Sequence, residues 1–108
     1  MARMFISEYE KMTEVSGGFR QAVGEEPSIA EQVVTFTATA GVSAAFNPKT
    51  KFVRIEVDGI ANLLFALDPS TIVAGTKKRL TAGQTEYFGL NVKDFTPGTL
   101  KVAAITDT

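Results

Sequence analysis

The sequence contains no histidine, no cysteine and no tryptophan. Without histidine, the side chain that most often serves as general base or metal ligand at neutral pH is missing, and no Ser-His-Asp arrangement can be built. Without cysteine there is neither a disulfide framework nor a thiolate metal site, so stability has to come from packing or from partners. Long apolar runs are missing too. The longest, Leu63 to Leu67, falls far short of the ~20 residues that cross a bilayer as a helix, and Met1-Ala2-Arg3 does not open a signal-peptide core. A surplus of one charge sign is also lacking: eleven Lys and Arg stand against twelve Asp and Glu, for a net charge of −1. No overall field draws the chain to nucleic acid or to an anionic membrane. The expectation is a non-enzymatic protein that uses no cofactor and no metal and has neither nucleic acid nor membrane as partner.

What is present is an ordinary globular composition, 44% hydrophobic and 21% charged over 108 residues. A chain of this size makes one domain and buries only about two-thirds of its unfolded surface. A lone core without disulfides or metals leaves a thin margin, which small domains often make up by oligomerising or docking.

The apolar pattern has a period of two, the signature of half-buried strands. Val34, Phe36, Ala38 and Ala40 alternate with Val33, Thr35, Thr37 and Thr39, and Val42 to Phe46 continues toward a partner strand before the Asn47-Pro48-Lys49-Thr50 turn. Val53, Ile55 and Val57 alternate with Phe52, Arg54, Glu56 and Asp58, predicting one core face and one wet face. Asp58-Gly59 turns the chain into the apolar run Ile60 to Leu67, which Asp68-Pro69-Ser70 breaks. Phe88, Leu90 and Val92 alternate in turn, Thr96-Pro97-Gly98 breaks the pattern, and Leu100, Val102 and Ala104 form the last strand. Several short strands with turn residues between them and no clear helix predict an all-β fold: a single small antiparallel β-sandwich or jelly-roll-like barrel.

The first 32 residues read differently. Met4 to Tyr9 is strand-like, but Gly17-Gly18 and the acidic Val23-to-Pro27 stretch interrupt the pattern after it. Ser28 and Glu31 have capping-box spacing, yet the strand-like run after them makes this segment a loop. The division expected is an N-terminal arm and loop over 1–32 and a sandwich over 33–108; the competing reading makes Met4 to Tyr9 an integral strand paired inside the sandwich, with Gly17-Gly18 in an ordinary loop between strands. In such an arm Phe5, Ile6 and Tyr9 are the residues left over to fill pockets on a partner.

Lys77-Lys78-Arg79 is the only basic run. It is a candidate contact for phosphate or an acidic protein surface, or else a charged edge strand that resists aggregation. Gly75-Thr76-Lys77-Lys78 lacks the second glycine of a phosphate loop, and Glu25, Glu26 and Glu31 lack calcium-loop spacing. Phe52, Phe65 and Tyr87 are candidates for a sugar or peptide platform, or simply core.

The segments Glu26-Pro27-Ser28-Ile29-Ala30-Glu31-Gln32-Val33-Val34, Ser43-Ala44-Ala45-Phe46-Asn47, Phe52-Val53-Arg54-Ile55 and Ala82-Gly83-Gln84-Thr85-Glu86-Tyr87-Phe88-Gly89, with the opening Met1 to Tyr9, resemble small structural proteins encoded among the head genes of tailed bacteriophages. The resemblance runs over most of the chain and rests on packing patterns. It implies a capsid decoration, or cement, protein: a β-sandwich on the outside of the virion, assembled in the host cytoplasm. Such a protein clamps major capsid protein subunits and forms a homo-oligomer, dimer or trimer, on the particle. Other roles compatible with the residues are a neck, tail or fibre component, or a module that binds carbohydrate or a host surface. The stretch Asn91 to Gly98 departs from the pattern by being longer than the expected turn.

Overall fold

The computed structural model describes residues 2–14, 20–24, 26–73, 75, 78–91 and 98–106. Their strands are β1 (Ala2–Tyr9), β2 (Met12–Glu14), β3 (Arg20–Gly24), β4 (Ala30–Phe36), β5 (Gly41–Val42), β6 (Phe52–Val57), β7 (Ala61–Ala66), β8 (Lys78–Leu80), β9 (Thr85–Gly89) and β10 (Lys101–Thr106). Two four-stranded sheets, ordered β4-β1-β6-β9 and β5-β10-β7-β8, pack face to face, and β2 and β3 form a separate ribbon. Every pairing is antiparallel.

Alternation decides which side chains enter the space between the sheets. Met4 and Ile6 of β1, Val34 and Phe36 of β4, and Val53, Ile55 and Val57 of β6 meet Leu63, Leu80, Val102 and Ala104 from the facing sheet. Val53, Ile55 and Val57 are all 0% exposed, while Arg54 and Glu56 are exposed, as the sequence pattern predicts.

From β4 onward the chain crosses between the sheets at nearly every step; only β7 and β8 are consecutive within one sheet. If β4 is counted first and β1 last, the sheets read first-eighth-third-sixth and second-seventh-fourth-fifth. That is the strand order of a jelly roll, with its final strand moved to the N-terminal end.

This placement of β1 corrects the expectation of an N-terminal arm. Residues 2–9 lie between β4 and β6 and pair along the length of both, with Phe5 opposite Val33 and Glu56. The sandwich therefore begins well before residue 33. Ile6 and Tyr9 are each 1% exposed, so they fill the protein's own interior and are not free to enter a partner.

Local chemistry sets the strand ends. β4 stops at Phe36, short of the expected Ala40, because the Thr37 hydroxyl accepts the Thr39 N–H (3.1 Å) and closes a turn. β5 is two residues long, yet its continuation stays on β10. Ser43 N–H donates to the Val102 carbonyl (2.8 Å), Val102 N–H donates to the Ser43 hydroxyl (3.0 Å), and Phe46 N–H donates to the Leu100 carbonyl (2.9 Å). The Ser28 hydroxyl does reach Glu31 (3.1 Å), but at the entry to β4 and not at a helix start. Among the described residues the helical content is one 3-10 turn, Pro69–Thr71, capped by Asp68, whose carboxylate accepts from Ser70 N–H and Oγ.

Candidate functional site

Five strand residues, Arg3, Phe5, Ser7, Val33 and Arg54, form the middle of the outer face of the β4-β1-β6-β9 sheet; Arg3, Val33 and Arg54 are exposed and Ser7 is covered. Phe5 is half-buried beside Val33, which is 60% exposed, and Ser7 and Arg54 lie opposite each other one step further along. The Arg3 guanidinium sits over the Phe5 ring at 5.1 Å and pairs with Asp58 at 3.1 Å. Arg54 reaches the Ser7 hydroxyl at 3.5 Å, leaving most of its donors turned outward. The result is a patch with a small apolar centre, Phe5 and Val33, ringed by charges of both signs: Arg3 with Asp58, Arg54, and the exposed Glu56 and Glu31 directly across from Phe5 and Ser7, the kind of surface that marks protein contact sites.

One end of this face is closed by the chain itself. Tyr9, Phe52 and Tyr87 come together with ring centroids 5.5, 5.9 and 6.2 Å apart. The end of β3 lies on them: Gly24 N–H donates to the Tyr87 hydroxyl (3.2 Å), and a Cβ at Gly24 would overlap the ring carbons of Tyr9. The Tyr9 phenol donates to Glu26 at 2.6 Å. Burial first, and then this bond to a carboxylate, raise the Tyr9 pKa above the ordinary phenol range. Phe52 and Tyr87 are thus neighbours, as a platform would require. Phe65 is not with them; it packs on Phe46 (6.5 Å) and Phe88 (5.2 Å) from the other sheet.

A polar cluster holds the opposite side of β1. The Glu8 carboxylate is 1% exposed and accepts from Asn47 N–H (2.7 Å), Thr50 Oγ1 (2.8 Å) and Gln32 Nε2 (3.1 Å). Gln32 in turn accepts from Ala44 N–H (2.9 Å). These bonds fasten the turn before β6 to β1 and β4, a structural use of a buried charge that is fully hydrogen-bonded.

The basic run is split by the strand it lies on. Lys78 and Arg79 are successive residues of β8 and so point to opposite faces; Lys77 lies outside the described residues. Lys78 lines a groove of about 360 Å³ at the open side of the sandwich, together with Phe65, Phe88, Leu90, Leu100 and the backbone of β9. The expected contact set Phe5, Ile6, Tyr9, Lys77, Lys78 and Arg79 therefore does not form one surface. Phe5 is on the outer sheet face, Lys78 is in the groove, Arg79 is on the far side of β8, and Ile6 and Tyr9 are interior. The groove escaped the sequence reading because Phe88, Leu90 and Leu100 read as core and Phe65 as core or as part of a platform with Phe52 and Tyr87; the edge position of β9 leaves Phe65, Phe88 and Leu90 partly open.

Among the described residues no group of three or more acidic side chains is close enough to hold a metal ion. A scan against protein families, a search of curated proteins and a search of solved structures find no match for the chain.

Proposed function

We propose that this protein is a non-enzymatic virion structural protein, a capsid decoration protein that sits on the outside of a phage head and stabilises contacts between major capsid protein subunits. The observation that carries this reading is the patch on the outer face of the β4-β1-β6-β9 sheet, where Phe5 and the 60% exposed Val33 are ringed by Arg3, Arg54 and Glu56. A flat, partly apolar sheet face suits broad contact with a larger surface better than it suits enclosing a small substrate. The sequence likeness to head-gene products and the jelly-roll strand order support the same reading, since jelly rolls are common in viral shells. In this role each contact is modest, and many copies on one particle, as dimers or trimers, make the coat persist.

The test is to co-express the protein with a major capsid protein from the same source and image the purified particles by electron cryomicroscopy. Regularly spaced density on the outer surface at high copy number is the expected result, and Val33→Asp should remove that density while leaving the free protein folded. A few copies confined to one vertex would transfer the protein to a neck or tail role. No density, with specific capture on a glycan array, would make it a carbohydrate-binding module.

A further inference from the structure

β9 is an edge strand, paired with β6 on one side only. Two flanking bonds fix the phase of that ladder: Val57 N–H donates to the Gln84 carbonyl (3.3 Å), and Leu90 N–H donates to the Lys51 carbonyl (2.9 Å). In an antiparallel pair, hydrogen-bonded and non-bonded positions alternate. Residues 84, 86, 88 and 90 therefore turn their backbone groups toward β6, and Thr85, Tyr87 and Gly89 turn theirs outward. Among the described residues no strand meets them.

Natural edges of this kind are usually blunted by lysine, proline or a bulge. The stretch Thr85-Glu86-Tyr87-Phe88-Gly89 has no lysine and no proline, and its ladder with β6 runs without a bulge; its one guard is Glu86, opposite Ile55 on the same face as Phe88. Beside it lies the groove of about 360 Å³, whose walls are the half-buried Phe65, Phe88 and Leu90 and the buried Leu100. Lys78 is the one charged residue in that lining. Its ammonium makes no ion pair among the described residues.

We propose that the β9 edge is a docking site for an extended segment of a partner protein, which adds as a fifth strand to the β4-β1-β6-β9 sheet. The segment places a large apolar side chain in the groove and an acidic side chain two residues away against Lys78. Outward N–H and C=O groups at every second residue supply the backbone bonds, and residues two apart in the added strand share the face that enters the groove. Lys78 supplies the charge preference: the lining holds a cation and no carboxylate, so a neutral or basic segment gains nothing there and leaves the cation near apolar walls. The inference rests on the reading of this protein as a docking module and is independent of whether the partner is a capsid subunit.

The test uses the full chain and two blocked hexapeptides, Thr-Val-Phe-Thr-Asp-Val and Thr-Val-Phe-Thr-Lys-Val, with dodecanoate as a small apolar acid. Binding is followed by amide chemical shifts and hydrogen exchange. The expected result is that the aspartyl peptide moves and protects the amides of Thr85, Tyr87 and Gly89 while those of Glu86 and Phe88, already bonded to β6, keep their protection. It should bind at least fivefold more tightly than the lysyl peptide, and Lys78→Glu should reverse that order. Gly89→Pro removes an outward N–H and leaves the β6 ladder whole, so it should keep the native circular dichroism and weaken the peptide at least tenfold. Equal binding of both peptides, no protection at residues 85, 87 and 89, or saturation by dodecanoate alone would overturn the proposal. Particle attachment that survives both Gly89→Pro and Lys78→Glu would remove the β9 site and leave the decoration reading standing. Capture of the aspartyl peptide by a protein that does not attach to particles would do the reverse.

Discussion

The carboxylate of Glu8 and the hydroxyl of Thr50 meet at 2.8 Å in the interior, across 42 residues of chain. The same oxygen accepts the Asn47 N–H at 2.7 Å, and the other accepts from Gln32. Removing the carboxylate leaves the buried Thr50 hydroxyl without its acceptor and takes the part-buried Asn47 N–H and Gln32 amide off theirs, at about 1–3 kcal/mol for each group that stays unsatisfied. Glu8→Ala should therefore cost about 3 kcal/mol or more, and Thr50→Val about 1–3 kcal/mol. Glu8→Gln should also destabilise, because its amide nitrogen faces a donor on one side or the other. Urea unfolding of the three variants checks this; a Glu8→Ala protein within about 0.5 kcal/mol of the parent would refute a structural role for the carboxylate.

The interior of β6 offers the cleanest contrast between two adjacent positions. Ile55 is 0% exposed and Glu56 is exposed. Truncation Ile55→Ala should cost about 2–5 kcal/mol and Glu56→Ala no more than about 0.5 kcal/mol. Equal losses in denaturant would mean that the register of β6 is wrong.

β6 was legible in the sequence because its two faces keep distinct environments, Val53, Ile55 and Val57 buried and Arg54 and Glu56 exposed. β1 was not, for two reasons. Its inward row is Met4, Ile6 and Glu8, and the buried carboxylate breaks the apolar pattern unless Asn47 and Thr50 are known to stand opposite it. Its outward row ends in Tyr9, which is buried because Phe52 and Tyr87 pack beside its ring and Gly24 returns to cover it. Both features depend on parts of the chain far from β1 in sequence. The groove at β9 was hidden for the opposite reason: its residues look like core, and edge position is a property of topology that no local pattern carries.

Tyr9 makes stability sensitive to alkali. Its folded-state pKa is raised above that of a free phenol, by burial and by the hydrogen bond to Glu26. A group with a raised folded pKa contributes stability that is fully present below its unfolded pKa, near 10 for tyrosine, and is lost as pH rises through the folded value. Thermal unfolding should thus show a loss above about pH 10 that Tyr9→Phe abolishes. With Tyr9 and Tyr87 the only tyrosines and no tryptophan, phenolate absorbance of Tyr87→Phe reports Tyr9 alone; an unshifted titration there would sink the prediction.

At the acid end, Asp58 ties the start of β1 to the turn after β6. Its carboxylate accepts the Arg3 backbone N–H and pairs with the Arg3 guanidinium, and the Asp58 N–H donates back to the Arg3 carbonyl at 3.1 Å. The backbone bond from Arg3 first, and the side chain second, hold the Asp58 pKa below the ordinary carboxylate range. A lowered folded pKa gives stability that is present above the unfolded pKa and fades as pH falls through the folded one. Asp58→Asn should therefore flatten the acid limb of the stability profile relative to the parent. A parallel acid limb in the two proteins would show that the tie does not form.

The position of β1 leads to a paired test of topology. Deleting residues 1–24 removes a strand held on both sides, uncovers two strand edges and takes Met4 and Ile6 out of the core. The truncated protein should be unfolded or aggregated by circular dichroism and gel filtration. Moving the same strand should be tolerated. Ala2 and Thr106 line one open cavity of about 490 Å³ at the same end of the sandwich, so a Gly/Ser linker of about eight residues, with a typical reach of roughly 16 Å, can join the ends. Opening the chain before Pro27 then gives a permuted protein that starts near β4, carries β1 after β10 and adopts the usual jelly-roll strand order, with the β2–β3 ribbon as its tail. It should fold with a circular dichroism spectrum like the parent's, because surface loops are the sites where new ends are best tolerated. A folded truncation would show that β1 is dispensable after all, whereas failure of both proteins would show that the order of strands along the chain matters and not only their order in the sheets.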